Sequence, residues 1–245
     1  MANVYGGTLT EEALSDPNNT HAILLRLIGK EKDVLEIGPA TGYMTRVLAG
    51  RERCRVTGFE LSRVMAEEAR PYLHKLIVGD LENQADVAKI DGQFDVALLA
   101  DVLEHLVEPL QPLRELREHL RPEGRLIASV PNVAHWSVRH ALLAGRWDLT
   151  DRGIMDRTHL RWYTRRTAVA LIRSAGYRVV WRGASYVFPW HWRLGGPRVA
   201  AWAQRRSMPA AFDDLFAIQH IFVADRGELK PRPVRPPVQK GNSRL

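Results

Sequence analysis

The sequence contains very little cysteine and no long apolar run. Its single cysteine, Cys54, excludes a disulfide framework within the chain, as is typical of proteins from a reducing compartment. No apolar stretch reaches the roughly 20 residues that a membrane-spanning helix needs, and the first residues lack the basic-then-apolar pattern of a secretion signal. These absences predict a soluble, cytoplasmic protein without a membrane span.

Several ligand-binding motifs are also missing. The chain has neither the G-x-G-x-x-G turn of dinucleotide-binding proteins nor the G-K-[ST] of phosphate-binding loops. It lacks H-E-x-x-H and paired cysteines at metal-ligand spacing, so we expect no metal site. An NAD-dependent oxidoreductase is disfavoured for the same reason.

The positive charge of the chain is concentrated at one end. The formal net charge is +7, and residues 226–245 supply six basic side chains against one acidic one, a net +5. The same segment carries four prolines and no apolar periodicity, so it is predicted to be a flexible basic, Pro-rich tail. Because the remainder is only mildly basic, no nucleic-acid partner is expected.

The composition and the order of elements predict an α/β fold. With 245 residues and 45% hydrophobic residues, the chain can bury one full core, which we place in residues 1–225. Short apolar runs alternate with helical patterns, as in a parallel sheet with helices on both faces. Such folds bind ligands at the carboxyl ends of their strands.

One turn indicates the kind of ligand. The apolar run ending at Ile37 leads into Gly38-Pro39-Ala40-Thr41-Gly42, and a helical pattern follows. The glycines allow a tight turn and a close approach of the ligand. Pro39 removes one N–H donor, and Glu36 repels phosphate. The turn therefore favours a cationic or neutral ligand with hydroxyl and amino groups.

The turn and four later segments resemble the motifs of class I S-adenosylmethionine (SAM)-dependent methyltransferases. The segments are L-E-I-G-P-A-T-G at 35–42, an acid ending the second strand at Glu60, G-D-L at 79–81, and F-D-V-A-L-L-A-D-V-L-E-H-L at 94–106, followed by R-P-E-G-R-L-I-A-S-V-P-N at 121–132. The resemblance covers roughly residues 10–225. It implies a Rossmann-like, seven-stranded, mainly parallel sheet with an antiparallel last strand, SAM as the cofactor, and methyl transfer as the activity.

The resemblance also implies which residues bind the cofactor. Glu60 corresponds to the acid that accepts from both ribose hydroxyls, with a helix cap as the alternative role. Asp80 corresponds to the residue that accepts from the adenine amino group, with a turn-forming aspartate as the alternative. The predicted cofactor-binding residues are Glu36, Gly38, Pro39, Ala40, Thr41, Gly42, Glu60, Leu61, Asp80, Leu81, Ala100 and Asp101.

Two histidines are the candidate catalytic residues. His105 is expected one turn into a helix that opens after the fourth strand, where an imidazole can remove a proton from a nucleophile. Its alternative role is to fix the start of that helix. His159 lies in a later segment and is the second candidate base.

Two insertions are expected to cover the substrate. Residues 132–164 follow the fifth strand and residues 188–214 precede the last strand. The first of these segments carries the patterns P-N-x-x-H, starting at Pro131, and D-x-T-H-L-R-x-Y-T at 156–164, which resemble a bacterial methyltransferase branch linked to glycan and natural-product pathways. His159 and Arg161 are expected to face the substrate, or else to serve as a hydrogen-bonded strut. The predicted substrate-binding residues are Asn132, His135, Trp136, Arg139, Arg161 and Tyr163.

These inferences predict a SAM-dependent methyltransferase acting on a hydroxyl of a small molecule, such as a sugar or natural-product intermediate. The alternatives are an N- or carboxyl-methyltransferase on a peptide or antibiotic intermediate, and a non-catalytic SAM-binding protein that uses its basic tail. A carboxylate or free amine needs no strong base, so under the first alternative the histidines only bind. A homodimer is left open.

Overall fold

Seven strands form one sheet in the computed structural model, which describes residues 8–188, 202–203 and 209–227. Most of these strands are apolar and lie between helices, as expected for a buried sheet. In chain order they are β1 Asp33–Ile37, β2 Arg55–Glu60, β3 Lys75–Val78, β4 Phe94–Ala100, β5 Leu120–Pro131, β6 Arg178–Tyr186 and β7 Ala217–Asp225.

The strand order places a crevice beside β1. The order is β3-β2-β1-β4-β5-β7-β6, with parallel pairing from β3 to β5 and antiparallel pairing of β7 with both neighbours. The predicted α/β class and the antiparallel last strand are therefore confirmed. Because the order reverses between β1 and β4, their carboxyl ends define the point where such sheets bind ligands.

Helices cover both faces of the sheet. Side chains alternate along a strand, so neighbouring Val34 and Leu35 point to opposite faces and join separate apolar clusters. Leu24 packs in the cluster with Val34, and Leu113 packs in the cluster with Leu35. The described helices are α1 Glu11–Ser15, α2 Thr20–Ile28, α3 Tyr43–Gly50, α4 Arg63–Ala69, α5 Gln84–Val87, α6 Leu110–Glu118, α7 Trp136–Leu143, α8 Arg165–Ser174 and α9 Ala210–Phe216.

The segment after β4 differs from the prediction. The expected helix around His105 is instead a single 3-10 turn, Leu103–His105, and α6 begins only at Leu110. Asp101 has a left-handed backbone with a φ of 56°. This conformation is costly for a non-glycine residue and cannot lie inside a right-handed helix. The chain therefore bends away from the strand before it can form regular helix.

The two predicted insertions are described to different extents. Residues 132–164 contain α7 and a loop, and their ends are joined by a bridge between Asn132 and Tyr163. Most of 188–214 and nearly all of 226–245 lie outside the described residues. No helix within the described ranges is both long enough and apolar enough to cross a bilayer.

Substitution of Gly42 tests how tightly the first turn is built. Gly42 has a φ of 80°, and a Cβ there would lie 2.9 Å from the Cα of Ala69. Gly42→Ala should therefore lower the free energy of unfolding by about 2–4 kcal/mol, from left-handed strain and overpacking together. Urea denaturation of the full chain measures the change.

Two other glycines separate these two causes. Gly92 has a φ of 92° but no described atom within 4 Å of its Cβ position, so Gly92→Ala should cost only about 1 kcal/mol. Gly50 ends α3 with equally open space and no positive φ, so Gly50→Ala should leave stability unchanged or raise it by up to about 1 kcal/mol. Equal losses at Gly42 and Gly92 would show that the contact with Ala69 is unimportant.

Candidate active site

A cleft of about 630 Å³ lies at the carboxyl ends of the parallel strands. Its wall is made by the loops that follow β1 to β4, together with the segment before α1 and the loop around Thr158. Eight of the residues predicted to bind cofactor line it: Gly38, Ala40, Glu60, Leu61, Asp80, Leu81, Ala100 and Asp101.

The charged side chains in the described wall of this cleft all carry the same sign of charge. Four carboxylate side chains, Glu60, Asp80, Glu82 and Asp101, lie in its wall, and no lysine or arginine of the described ranges joins them. A pyrophosphate would meet only like charge here, whereas a sulfonium and an ammonium group would be attracted. The electrostatics fit SAM and oppose a dinucleotide.

The glycine turn brings the backbone close to the cleft. Gly38 and Gly42 have φ values of 66° and 80°, and Ala40 between them also has a positive φ of 50°. Gly42 N–H donates to the Pro39 carbonyl at 2.8 Å and closes the turn. A Cβ at Gly38 would lie 3.3 Å from Val102 Cγ2, inside the space that the cleft occupies. The turn thus leaves room for a ligand at the end of β1.

Glu60 is held ready to accept hydrogen bonds. Only 6% of the residue is exposed, although it borders the cleft. Its Oε2 accepts from Ala40 N–H and its Oε1 from Ser62 N–H, each at 2.9 Å. A carboxylate offers about four acceptor positions, so two bonds fix its orientation and two positions remain for ligand hydroxyls. This geometry fits both ribose hydroxyls of the cofactor.

Asp80 is exposed in the cleft wall. Its Oδ1 accepts from Glu82 N–H at 2.9 Å, and its own N–H donates to Asp86 Oδ2 at 3.0 Å. The turn-forming role weighed from the sequence is therefore present. This role uses one acceptor position of the Asp80 carboxylate, and the remaining acceptor positions are available to a ligand in the cleft.

Side chains from two other strands donate hydrogen bonds to the Asp101 carboxylate. Its Oδ1 accepts from the Ser129 hydroxyl at 2.6 Å and its Oδ2 from the Gln219 amide at 2.8 Å. Ser129 belongs to β5 and Gln219 to β7, so three strands determine the position of this carboxylate. These contacts hold the strained backbone of Asp101 in place, as is common at functional sites.

Four of the predicted cofactor residues do not line the cleft: Glu36, Pro39, Thr41 and Gly42. Glu36 is 3% exposed and accepts from the Thr45 hydroxyl at 2.6 Å. Burial raises the pKa of Glu36 to about 7, against the opposing effect of the Thr45 hydrogen bond. Glu36 is therefore buried beside the turn, which it supports through Thr45, and does not line the cleft. The sequence could not distinguish this buried position from one in the wall.

Of the two predicted catalytic histidines, only His105 borders the cleft. Its Nδ1 lies 3.2 Å from the Thr158 carbonyl oxygen, and the His105 and His159 rings are 4.9 Å apart, edge to face. Burial, assisted by His159, lowers the pKa of His105, which keeps the imidazole neutral. His159 is 8% exposed and lies behind His105.

Three predicted substrate residues are instead parts of the framework. Asn132 is fully buried and donates to the Ala217 carbonyl at 2.8 Å, His135 contacts the Val187 carbonyl through Nε2 at 3.0 Å, and Tyr163 donates to the Leu103 carbonyl at 3.3 Å. These polar groups pair with main-chain carbonyls inside the fold. None of the three lines the cleft.

The other three predicted substrate residues also bond to the main chain. Trp136 donates to the Val187 carbonyl at 3.1 Å, and Arg139 donates to the Ala134 carbonyl at 2.6 Å. Arg161 donates to the Val107 carbonyl and pairs with Glu108 at 2.8 Å. The bonds of Arg161 match the strut alternative weighed for it, and the cleft wall contains none of the three side chains.

Sequence reasoning missed an aromatic pair in the wall. His21 of α2 and Tyr43 of α3 both line the cleft, with Tyr43 Oη 3.2 Å from His21 Nε2. Burial lowers the pKa of His21, partly opposed by the Asp101 carboxylate. Tyr43 could have been suspected because it directly follows the glycine turn. His21 gave no local signal, since Asp101 lies 80 residues further along the chain.

Comparisons with known proteins agree with this geometry. The methyltransferase-domain family matches residues 13–181. An O-methyltransferase of Penicillium expansum is 27% identical over 187 residues, covering 73% of this chain and 60% of that protein. A ubiquinone biosynthesis O-methyltransferase of Cereibacter sphaeroides is 33% identical over 113 residues, covering 44% of this chain and 45% of that protein. The chain thus spans about half the length of these curated relatives.

The fold agrees as well. A SAM-dependent methyltransferase structure from Thermotoga maritima superposes with a TM-score of 0.54 at 16% identity, covering 88% of this chain and 91% of that one. The chain belongs to the methyltransferase-domain family, and its fold is that of class I SAM-dependent methyltransferases. SAM is its cofactor, which supplies a methyl group already activated by the sulfonium.

Proposed function

We propose that this enzyme methylates a hydroxyl group of a small molecule, such as a sugar or a natural-product intermediate. The observation that carries the proposal is the position of His105 in the cleft wall with its Nδ1 engaged by the Thr158 carbonyl. A carbonyl oxygen only accepts, so Nδ1 carries the proton and Nε2 keeps a lone pair. In the described part of the chain that nitrogen makes no hydrogen bond, so it is available to assist removal of a proton from an acceptor.

The residues that hold the cofactor follow from the cleft. Glu60 binds the ribose hydroxyls, Asp80 and Leu81 bind the adenine, and the Gly38 turn with Asp101 binds the end that carries the ammonium group. The wall thereby positions the methyl group towards His105, and such positioning supplies much of the rate gain in two-substrate reactions.

We place the acceptor under residues 132–164. The loop around Thr158 contributes to the cleft, which makes this insertion the natural cover of the substrate side. The two O-methyltransferase relatives support oxygen as the methylated atom. The acidic wall also attracts amines, so an N-methyl acceptor is the competing outcome.

Matched acceptors test the methylated atom. Each hydroxylated compound of a small-molecule panel is assayed beside its deoxy and amino analogues, with release of S-adenosylhomocysteine as the readout. We expect turnover of at least one hydroxyl compound and at most about 1% of that rate with its deoxy analogue, since a missing hydroxyl removes the reacting atom. Faster turnover of the amino analogue would contradict the proposal. Mass spectrometry of the product made with deuterated methyl-SAM locates the new bond.

A further inference from the structure

Glu104, His105 and His159 form a cluster at the inner end of the cleft, here called the Glu104 corner. One ligand atom from each of the three side chains lies within 4.8 Å of the other two. Glu104 and His159 are buried, and His105 connects the corner to the cleft. The sequence analysis expected no metal because the spacing matches no metal motif, but here the chain brings together residues 54 positions apart.

Glu104 is the unusual member of the corner. Only 1% of the residue is exposed, and neither carboxylate oxygen has a hydrogen-bond partner among the described residues. The ion pairs found in those residues also give it no lysine or arginine partner. Buried carboxylates are expected to be paired or bound to an ion, because leaving them unpaired is costly. Burial and the nearby Asp101 carboxylate hold the pKa of Glu104 well above its usual range.

Protonation alone does not satisfy this carboxyl group. A neutral carboxylic acid still has one O–H donor and one carbonyl acceptor that need partners. The described surroundings supply neither, so a bound cation accounts for the site better than a proton does.

Both histidines are oriented as metal ligands usually are. His105 Nδ1 lies 3.2 Å from the Thr158 carbonyl oxygen, and His159 Nδ1 lies 3.1 Å from the Ile154 carbonyl oxygen. Each carbonyl fixes the proton on Nδ1 and leaves the lone pair on Nε2. Metal-binding histidines commonly donate their second N–H to such a carbonyl, which sets both tautomer and ring orientation.

The main chain holds the two halves of the corner together. Leu160 N–H and Arg161 N–H both donate to the Glu104 carbonyl, at 2.8 and 3.0 Å. The backbone of residues 158–161 is therefore fixed against the 3-10 turn that carries Glu104 and His105. Ligands at about 2.0–2.2 Å from one tetrahedral ion lie about 3.3–3.6 Å apart, so small rotations of the side chains close the site.

We propose that Glu104, His105 and His159 bind one divalent transition-metal ion. Two imidazoles and one carboxylate suit Zn²⁺, Mn²⁺ or Fe²⁺ better than Mg²⁺ or Ca²⁺, which prefer oxygen ligands. Three protein ligands leave coordination positions open, as in catalytic rather than structural sites. Because His105 lines the cleft, the open positions lie towards the acceptor.

The role of the ion rests on the proposed function. An acceptor hydroxyl bound at an open position becomes more acidic and gives up its proton to water, so the oxygen is prepared for methylation. The His105 Nε2 lone pair cannot bind the ion and accept that proton at once. With the ion bound, His105 therefore acts on the hydroxyl as a ligand of that ion, and its Nε2 lone pair assists proton removal directly only in the metal-free enzyme.

Metal binding is tested directly on the full-length protein after treatment with a chelator and dialysis. Mn²⁺ is titrated by calorimetry and by electron paramagnetic resonance, where the free-ion signal disappears on binding, and Zn²⁺ is then added as a competitor. We expect one Mn²⁺ per chain, displaced by Zn²⁺. His159→Asn and Glu104→Gln should each weaken binding at least about 10-fold. Asparagine can still donate to the Ile154 carbonyl but offers no Nε2.

Three controls distinguish loss of the metal site from misfolding and from loss of cofactor binding. His140→Asn removes an exposed histidine from α7 and should bind Mn²⁺ like the wild type. Without metal, Glu104→Gln should unfold at the same temperature as the wild type or higher, because it removes the unpaired carboxylate. Titration with S-adenosylhomocysteine in the same preparation reports cofactor binding independently of the ion. Absence of Mn²⁺ and Zn²⁺ binding up to about 1 mM, or binding that survives both substitutions, would overturn the metal site and leave the methyltransferase assignment intact.

Discussion

His105→Asn is expected to lower the turnover number by about 10²–10⁴-fold, the usual contribution of a group that assists proton removal. The cofactor affinity should remain within about threefold of wild type, because the ribose and adenine contacts involve other residues. Asparagine can replace the hydrogen bond from Nδ1 to the Thr158 carbonyl, so the local fold is retained. Steady-state assays with the acceptor found in the matched panel measure kcat and KM separately.

The exposed His140 again provides the matched control. His140→Asn should keep the wild-type turnover number, since its side chain lies on the outer part of α7. If His105→Asn and His159→Asn both retained full turnover, activation of a hydroxyl by these residues would have to be abandoned. An unchanged kcat with a raised KM would show that His105 only binds the acceptor.

Glu60→Ala should raise the dissociation constant for S-adenosylhomocysteine on the order of 100-fold. Two hydrogen bonds to a charged acceptor are lost, and each contributes about 1.5–3 kcal/mol. The Ala40 and Ser62 N–H groups also lose their common acceptor, so the turn is less well oriented. Isothermal titration calorimetry of wild type and variant measures the effect.

A graded series sharpens this test. Glu60→Gln keeps one acceptor oxygen and should weaken binding by about 10-fold, between wild type and Glu60→Ala. Glu68→Ala removes an exposed carboxylate from α4 and should have no effect. Binding by Glu60→Ala within threefold of wild type would contradict a ribose contact and return Glu60 to the role of a loop support.

The cofactor side of the cleft was largely predictable because its residues end parallel strands. Glu60 closes β2, Asp80 follows β3 and Asp101 follows β4, so neighbouring strand ends bring them together whatever the remaining packing. Whether a side chain lines the cleft or is buried beside it was harder to infer. Glu36 lies two residues before Gly38, yet its side chain points beneath the turn and bonds to Thr45.

The contacts of the predicted substrate residues could not be inferred from the sequence because their partners are distant along the chain. His135 bonds to the carbonyl of Val187 and Asn132 to that of Ala217, pairings that no local spacing encodes. A polar residue in a loop can bind a ligand or satisfy a buried carbonyl, and its type alone does not decide between them. The sequence did not predict the Glu104 corner for the same reason, since its third member, His159, lies far along the chain from Glu104 and His105.

The main-chain attachment of residues 158–161 to the Glu104 carbonyl has an evolutionary consequence. Backbone hydrogen bonds do not depend on which side chains the segment carries, so the anchor survives sequence drift. The preceding residues 142–153 are exposed throughout and contribute nothing to the buried core. Insertions and substitutions can accumulate there at little cost to folding. New acceptor preferences can therefore arise in this loop while the cofactor side is inherited unchanged.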